Sequence, residues 1–297
     1  MERYINPLTD FGFKKLFGTE PNKDLLIDFL NQVLPNRKIA HLSYASNEHF
    51  GRTSLDRKAI FDIYCVGTDG EHFIVEMQKA KQNYFKDRSV FYASFPIQQQ
   101  AQKGDWNYKL PAVYSIGILD FIFEEHQQDN HFLHIIELKN QRGEVFYDKL
   151  KFIYLELPKF NKFEHELETQ FDKWMYVLTK LEKLHERPRQ LQERIFKKLF
   201  QAAEIAQFTP QEQQAYEESI KVYRDIQNIV STAKMEGLEE GRQVGLEEGR
   251  QAGLEEGMQV GMKKRTLEIA RKLKSKGTAL ADIMDLTGLN KEDIDPL

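Results

Sequence analysis

The chain is nearly devoid of cysteine, with Cys65 alone among 297 residues. That excludes an intrachain disulfide and any multi-cysteine zinc site. Long apolar runs are also missing; none approaches the ~18 residues that a membrane-spanning helix requires. The Met1-Glu2-Arg3-Tyr4 start lacks the basic-then-apolar pattern of a secretory signal. A cytoplasmic protein with no membrane partner is the expectation. None of the eight histidines has metal-ligand spacing. His131 and His134 are three apart, but they fall in an expected strand, which points them to opposite faces. A large charge excess is absent from most of the chain. The formal charge is −4, and residues 236–262 alone carry seven glutamates against two arginines, so the remainder is close to neutral. This balance neither supports nor excludes nucleic acid as a partner, since a local basic patch is compatible with it.

What is present is an apolar fraction of 41% with 12% aromatics, enough for a well-buried core of catalytic-domain size with helical appendages. Thr9 to Gly18 is a short aromatic and basic segment. A helix opens near Pro21, carries Leu25, Leu26, Phe29, Leu30 and Val33 on one face, and stops before Pro35. Ile39–Ala45 is a weak strand. Phe85–Lys103 reads as a helix that Pro96 should kink or end. Ala112–Phe121 is a nearly continuous apolar run, as in a fully buried strand. Phe132–Leu138 and Leu150–Leu157 are further strands about an Arg142-Gly143 turn.

From about Lys162 the period becomes helical: Leu167, Phe171, Trp174, Leu178 and Leu181 form one seam, and Leu191, Ile195 and Leu199 another. Thr209-Pro210-Gln211-Glu212 is a capping box with proline at the first helical position, ahead of an apolar face at Tyr216, Ile220, Tyr223 and Ile226. An octapeptide repeat starts at Gly237, Gly245 and Gly253, with glycine at every fourth position to Gly261. Seven glycines disfavour an isolated helix by about 6 kcal/mol, while small residues at that spacing let two helices approach closely. The repeat is either an oligomerisation element or a spacer. Leu267 to Ile294 reads as short helices broken at Gly277 and Gly288, either a helix-turn-helix-like DNA reader or a small cap.

The chemistry concentrates in one hairpin. Ile60–Val66 and His72–Gln78 are rich in β-branched and aromatic residues and are joined by Thr68-Asp69-Gly70. Such a loop is a type I turn closed by a left-handed residue, which Gly70 supplies. Closure pairs Gly67 with Glu71, so Tyr64 faces Ile74, Asp62 faces Glu76 and Ile60 faces Gln78, all on one side. Facing like charges are destabilising, and burial worsens the repulsion. A divalent metal between Asp62 and Glu76, helped by the Met77 carbonyl, is the simplest remedy, and oxygen donors suit Mg²⁺. Gln78 is placed to orient a water. Lys79 alternates to the opposite face and is not counted as its substitute. The plain alternative is a solvated pair, or one matched by Arg57 or Lys58.

Taken together, Thr9–Phe17, Asp62, Val75-Glu76-Met77-Gln78, Arg88, Tyr92, Gln100, Gly104 and Ile116–Asp120 resemble the Rpn group of recombination-promoting nucleases and PD-(D/E)XK nuclease family transposases over roughly residues 1–160. The resemblance implies a restriction-endonuclease-like α/β fold, a mixed sheet flanked by helices and followed by a helical C-terminal region. It divides the chain into a nuclease-like domain (1–160), a helical region (161–235), the repeat (236–262) and a small helical tail (263–297). It further implies an endonuclease hydrolysing DNA phosphodiesters with Mg²⁺ or Mn²⁺ in recombination or transposition. The catalytic positions would be Asp62, Glu76, Gln78 and Asp10, with Asp62, Glu76 and Met77 on the metal. Asp10 either joins the site or caps a helix. Lys14, Arg88 and Gln100 are the expected DNA contacts, and Tyr92 is core. The family's lysine is replaced by Gln78. From a different class comes the alternative of a non-catalytic DNA-binding or oligomeric assembly module with a relic site. A homo-oligomer through the C-terminal helices and repeat is expected in either case.

Overall fold

The computed structural model describes residues 2–34, 37–49, 59–101 and 104–296. The chain divides into two compact units, Met1–Val230 and Ser231–Leu297.

A six-stranded mixed sheet organises the first unit. Its strands are β1 (Leu42–Tyr44), β4 (Ile63–Gly67), β5 (His72–Gln78), β6 (Val113–Leu119), β7 (Leu133–Lys139) and β8 (Val145–Glu156), in the order β1-β4-β5-β6-β8-β7. β5, β6 and β8 run parallel, and the remaining pairings are antiparallel. A separate two-stranded ribbon pairs β2 (Glu48–His49) with β3 (Ala59–Ile60). The helices are α1 (Asp10–Phe17), α2 (Lys23–Val33), α3 (Phe85–Gln99), α4 (Gln170–Lys180), α5 (Arg194–Ala203) and the first part of α6 (Pro210–Ser275).

Period-two alternation decides what each face meets. Ile63, Cys65, Phe73, Val75, Met77, Ile116, Ile118, Ile153 and Leu155 are buried in the main core with Phe17, Phe29 and Trp174 of α1, α2 and α4. The Trp174 indole N–H donates to Asp28 at 2.6 Å. On the opposite face, α3 sets Tyr92 and Phe95 against Phe61, Tyr64 and Ile74, and Phe85 against Leu119, Phe123 and Tyr154. Two aligned rows run across that face: Glu76, Gly117, Tyr154 and His134, then Gln78, Leu119 and Glu156.

The hairpin closes as its turn chemistry dictates. Gly70 is left-handed at φ 82°, and the Gly67 N–H donates to the Glu71 carbonyl at 2.8 Å. Tyr64 pairs with Ile74 and Ile63 with Val75. The ladder ends at the Ile63–Val75 pair, so Asp62 lies just outside β4. Ile60 does not face Gln78; it pairs with Glu48 in the ribbon. The Phe61 N–H is drawn to the Asn47 carbonyl at 2.9 Å, and the Asn47 amide donates to the Asp62 carbonyl at 3.0 Å. Asn47 thus peels the strand away just beyond the acid. Two other expectations also change. Pro96 does not end α3, which continues to Gln99 with the proline buried. Leu167 and Leu191 lie outside the helices, and Leu181 caps α4 at the start of a short 3-10 turn, Leu181–Lys183. Arg57, Lys58, Lys103 and Pro35 lie outside the described residues.

Thr9 caps α1, its hydroxyl accepting from the Gly12 N–H at 3.0 Å. Gly12 is required by close approach, since a Cβ there would lie 2.1 Å from the Asn6 carbonyl oxygen. Asn6 in turn ties the segment to α6, its N–H donating to the Tyr216 hydroxyl at 2.9 Å. The capping box at Thr209 and Glu212 forms as expected, with reciprocal bonds of 3.0 and 3.2 Å.

In the second unit the repeat is helical throughout and exposed, and beyond the adjoining residues and local helix backbone nothing lies within 4 Å of where a Cβ would stand on any of its seven glycines. Arg242 pairs with Glu239 and Arg250 with Glu247 along it. Ala270, Ile283 and Ile294 then form a small cluster with α7 (Leu280–Thr287) and α8 (Lys291–Ile294), the turns falling at left-handed Gly277 and Gly288. Among the described residues, no helix is long and apolar enough to cross a membrane.

Candidate active site at the end of the β4–β5 hairpin

Asp62 and Glu76 meet at the mouth of the hairpin in a reciprocal clasp. The Asp62 N–H donates to Glu76 Oε1 at 3.2 Å, and the Met77 N–H donates to Asp62 Oδ2 at 2.8 Å. Had the strand continued, Phe61 would have taken the Met77 N–H in the ladder; because Asn47 diverts it, the Asp62 carboxylate fills the gap. In an extended strand a residue's N–H and C=O point to the same side, so the Met77 carbonyl lies on the Asp62 edge. Asp62 and Glu76 thus bring carboxylate oxygens together at this end of the hairpin.

Both acids resist ionisation. Burial pushes the Glu76 carboxyl up to about 8, and the neighbouring Asp62 charge adds to the shift against the opposing Asp62 N–H, Arg88 and Gln78. Burial also raises Asp62, and Asp10 reinforces it, while the Met77 N–H, Lys14 and Lys79 pull the other way. The buried Glu76 carboxyl and the partly buried Asp62 carboxyl thus sit close together with their ionised forms disfavoured.

Gln78 links Glu76 to α3. Its amide donates to Glu76 Oε2 at 3.3 Å and its carbonyl accepts from Arg88 at 2.8 Å. Arg88 also bonds Gln82 and lies over the Phe85 and Tyr92 rings, 5.4 and 5.8 Å from their centroids. On the other side of the clasp, Asp62, Asp10 and Lys14 line one cleft of about 690 Å³ with Lys15, Tyr44 and Asn47. Asp10 occupies the first turn of α1 and pairs with Lys14 at 2.9 Å, while the cap is Thr9. Asp10 therefore stands beside Asp62 rather than capping the helix. Gln100 stays apart at the C-terminal end of α3, its side-chain amide buried with no hydrogen-bond partner among the described residues.

Sequence reasoning set Lys79 aside. In the folded chain β5 ends at Gln78, and Lys79 follows within electrostatic reach of Asp10 and Asp62. Burial lowers its ammonium pKa, and the two carboxylates partly restore it. The signal was its position directly after Gln78. Asp120, from the Ile116–Asp120 motif, also borders the site: its N–H donates to the Gln78 carbonyl at 2.9 Å, and its carboxylate accepts from Tyr223 at 2.8 Å and Gln227 at 2.9 Å.

The histidine reading needs correction. His126 and His134, eight residues apart, converge on Glu156, with their ligand atoms all within 4.8 Å of one another. Spacing hid this because His126 sits on a short 3-10 turn before β7, and the reversal between the two carries it back over His134. His131 precedes β7 and pairs instead with Asp129.

No curated protein and no solved structure matches the chain. One family model, described as PD-(D/E)XK nuclease family transposase, matches residues 7–233. The match takes in α1, the hairpin with both carboxylates, α3, and the helices through the start of α6, well past residue 160. With three quarters of its length so matched and a mixed sheet flanked by helices, the chain belongs to the PD-(D/E)XK nuclease family transposases.

Proposed function

We propose that the chain is a metal-dependent DNA endonuclease acting in recombination or transposition. Family membership supplies the coarser part, a nuclease of transposition-associated type. The observation that carries the finer reading is the Asp62–Glu76 clasp, a buried and a partly buried carboxyl held together with both pKa values raised. The donor set fits a hard divalent cation, because Asp62, Glu76 and the Met77 carbonyl all offer oxygen. When bound there, Mg²⁺ or Mn²⁺ would supply phosphate polarisation and a lower pKa for an attacking water.

The chain's own groups prepare that chemistry. The Met77 and Asp62 N–H groups fix the two carboxylates, so they need no reorganisation. Arg88 orients Gln78, which holds the free side of Glu76. Gln78 contributes no charge where a lysine would, and Lys79 and Lys14 bring positive charge to the Asp62 side. Lys14, Arg88 and Gln100 are the proposed DNA contacts, and Asp10 is proposed to support Asp62 from α1. Contacts to phosphate predict binding that weakens steeply with salt.

The test is nicking of supercoiled plasmid by the full chain. Mg²⁺ or Mn²⁺ should be required, and Asp62→Ala and Glu76→Ala should each cut the rate by at least about 100-fold while circular dichroism is retained. Folded variants that nick as fast as wild type would leave only a DNA-binding module with a relic site. The helical repeat is proposed to pair two copies of the chain; deleting residues 237–260 should lower the mass seen by light scattering, and an unchanged mass would make it a spacer.

A further inference from the structure

We infer that His126, His134 and Glu156 form a second metal site, of the type that takes Zn²⁺, distinct in ligand chemistry from the Asp62–Glu76 clasp. Three elements deliver the donors: the 3-10 turn Glu124–His126, β7, and the last residue of β8. His126 Nδ1 lies 3.0 Å from Glu156 Oε1, and His134 Nε2 lies 3.2 Å from Oε2. The two rings stack with centroids 4.0 Å apart. An ion with bonds of about 2.0–2.2 Å to nitrogen and oxygen needs its ligand atoms roughly 3–3.5 Å apart in tetrahedral geometry. All pairs here lie within 4.8 Å, so small ring rotations bring the set onto one ion.

The surroundings are those of a held ligand rather than a loose acid. Glu156 is fully buried, and its carboxylate is fixed by the Phe123 N–H on Oε1 at 2.9 Å and the Lys159 ammonium on Oε2 at 2.6 Å. Such outer contacts orient metal-binding carboxylates.

Imidazole donors select Zn²⁺, Ni²⁺ or Cu²⁺ over Mg²⁺, and two histidines with one carboxylate leave a fourth position open. His126 and His134 line a cavity of about 670 Å³ with Leu133, Ile136 and Phe152, which gives an ion a path from solvent. On the sheet face, Leu119 of β6 stands between Gln78 and Glu156 in one row, so the two sites share no ligand.

Equilibrium dialysis of the full chain against Zn²⁺ in excess Mg²⁺, with X-ray absorption on the loaded wild type, tests the site. The expected result is one Zn²⁺ per chain with two imidazoles in its shell, retained in Asp62→Ala/Glu76→Ala. His126→Ala/His134→Ala should weaken binding by at least about tenfold, with circular dichroism confirming its fold. An absorption spectrum without the imidazole pair, or undiminished binding by the folded histidine variant, would overturn the assignment. If the variant does not fold, the wild-type spectrum alone decides.

Discussion

Glu76 on β5 and Glu156 on β8 occupy matching places with opposite electrostatics. Both are buried, both lie near the C-terminal ends of parallel strands, and both point to the α3 face of the same sheet. Glu156 has Lys159 at 2.6 Å and two imidazoles against it, and its carboxyl is held below the ordinary range. Glu76 is pushed up to about 8 by burial, and the Asp62 charge adds to the rise more than Arg88 offsets it. The difference teaches that burial alone does not set a carboxyl's charge state. What distinguishes Glu76 is that its strongest charged neighbour is the Asp62 carboxylate, with Arg88 only partly opposing it. Glu156 is self-sufficient in charge; Glu76 is not.

The largest effect expected from this contrast is on stability. Glu156→Ala leaves the Lys159 ammonium buried without its partner and should cost about 3–5 kcal/mol. Glu76→Gln removes a repulsion and should leave stability at pH 8 unchanged or higher. Urea denaturation of the metal-free proteins measures both; equal losses at the two positions would break the comparison.

Next in size is the pH response, where the two glutamates have opposite signs. Glu76 has a folded pKa of about 8 against 4.5 for the ordinary group. Between those values the folded chain binds more protons than the unfolded one, so stability falls as pH rises through that window. Glu156, with a lowered folded pKa, contributes stability that is present above its unfolded value and lost as pH falls through the folded one. Metal-free wild type should lose on the order of 1–3 kcal/mol between pH 5 and 8 from the Glu76 contribution. The loss should be absent in Glu76→Gln and offset by Mn²⁺, whose stabilisation grows with pH as it displaces the proton. An equal pH dependence in the two proteins would contradict the assignment of the shift.

The smallest expected effect comes from giving Glu76 what Lys159 gives Glu156. Gln78→Lys sets a cation beside the clasp and should shrink the pH-dependent loss by less than about 1 kcal/mol, because Arg88 opposes a second charge there. Denaturation at pH 5 and 8 reads it directly, and a steeper pH dependence would show that Arg88 dominates.

Much of the clasp was legible in the chain before folding was considered. The Thr68-Asp69-Gly70 turn fixes a register that holds to the Ile63–Val75 pair, and the next step brings Asp62 to Glu76 through the hydrogen bonds of the clasp. The apolar run at Val113–Leu119 and the capping box at Thr209 likewise announce themselves through local rules. What escaped depends on contacts between distant segments. The divergence at Phe61 is imposed by Asn47, which no hairpin rule can foresee. Lys79 reaches Asp62 because β5 ends at Gln78, one residue before strict alternation would send it away. The convergence of His126 and His134 on Glu156 needs a chain reversal and a parallel crossover before the donors meet. Gly12 was visible as a motif residue, but its reason, the Asn6 carbonyl 2.1 Å from any Cβ, belongs to the folded chain.

The most direct test of the central claim pairs folding with cleavage in one variant. Glu76→Gln keeps the shape of the side chain, relieves the repulsion and removes a proposed metal ligand. Plasmid nicking in Mg²⁺ at pH 8, measured beside urea denaturation, should show a protein at least as stable as wild type that cleaves at least about 100-fold more slowly. A Glu76→Gln protein that nicks at the wild-type rate would contradict the account.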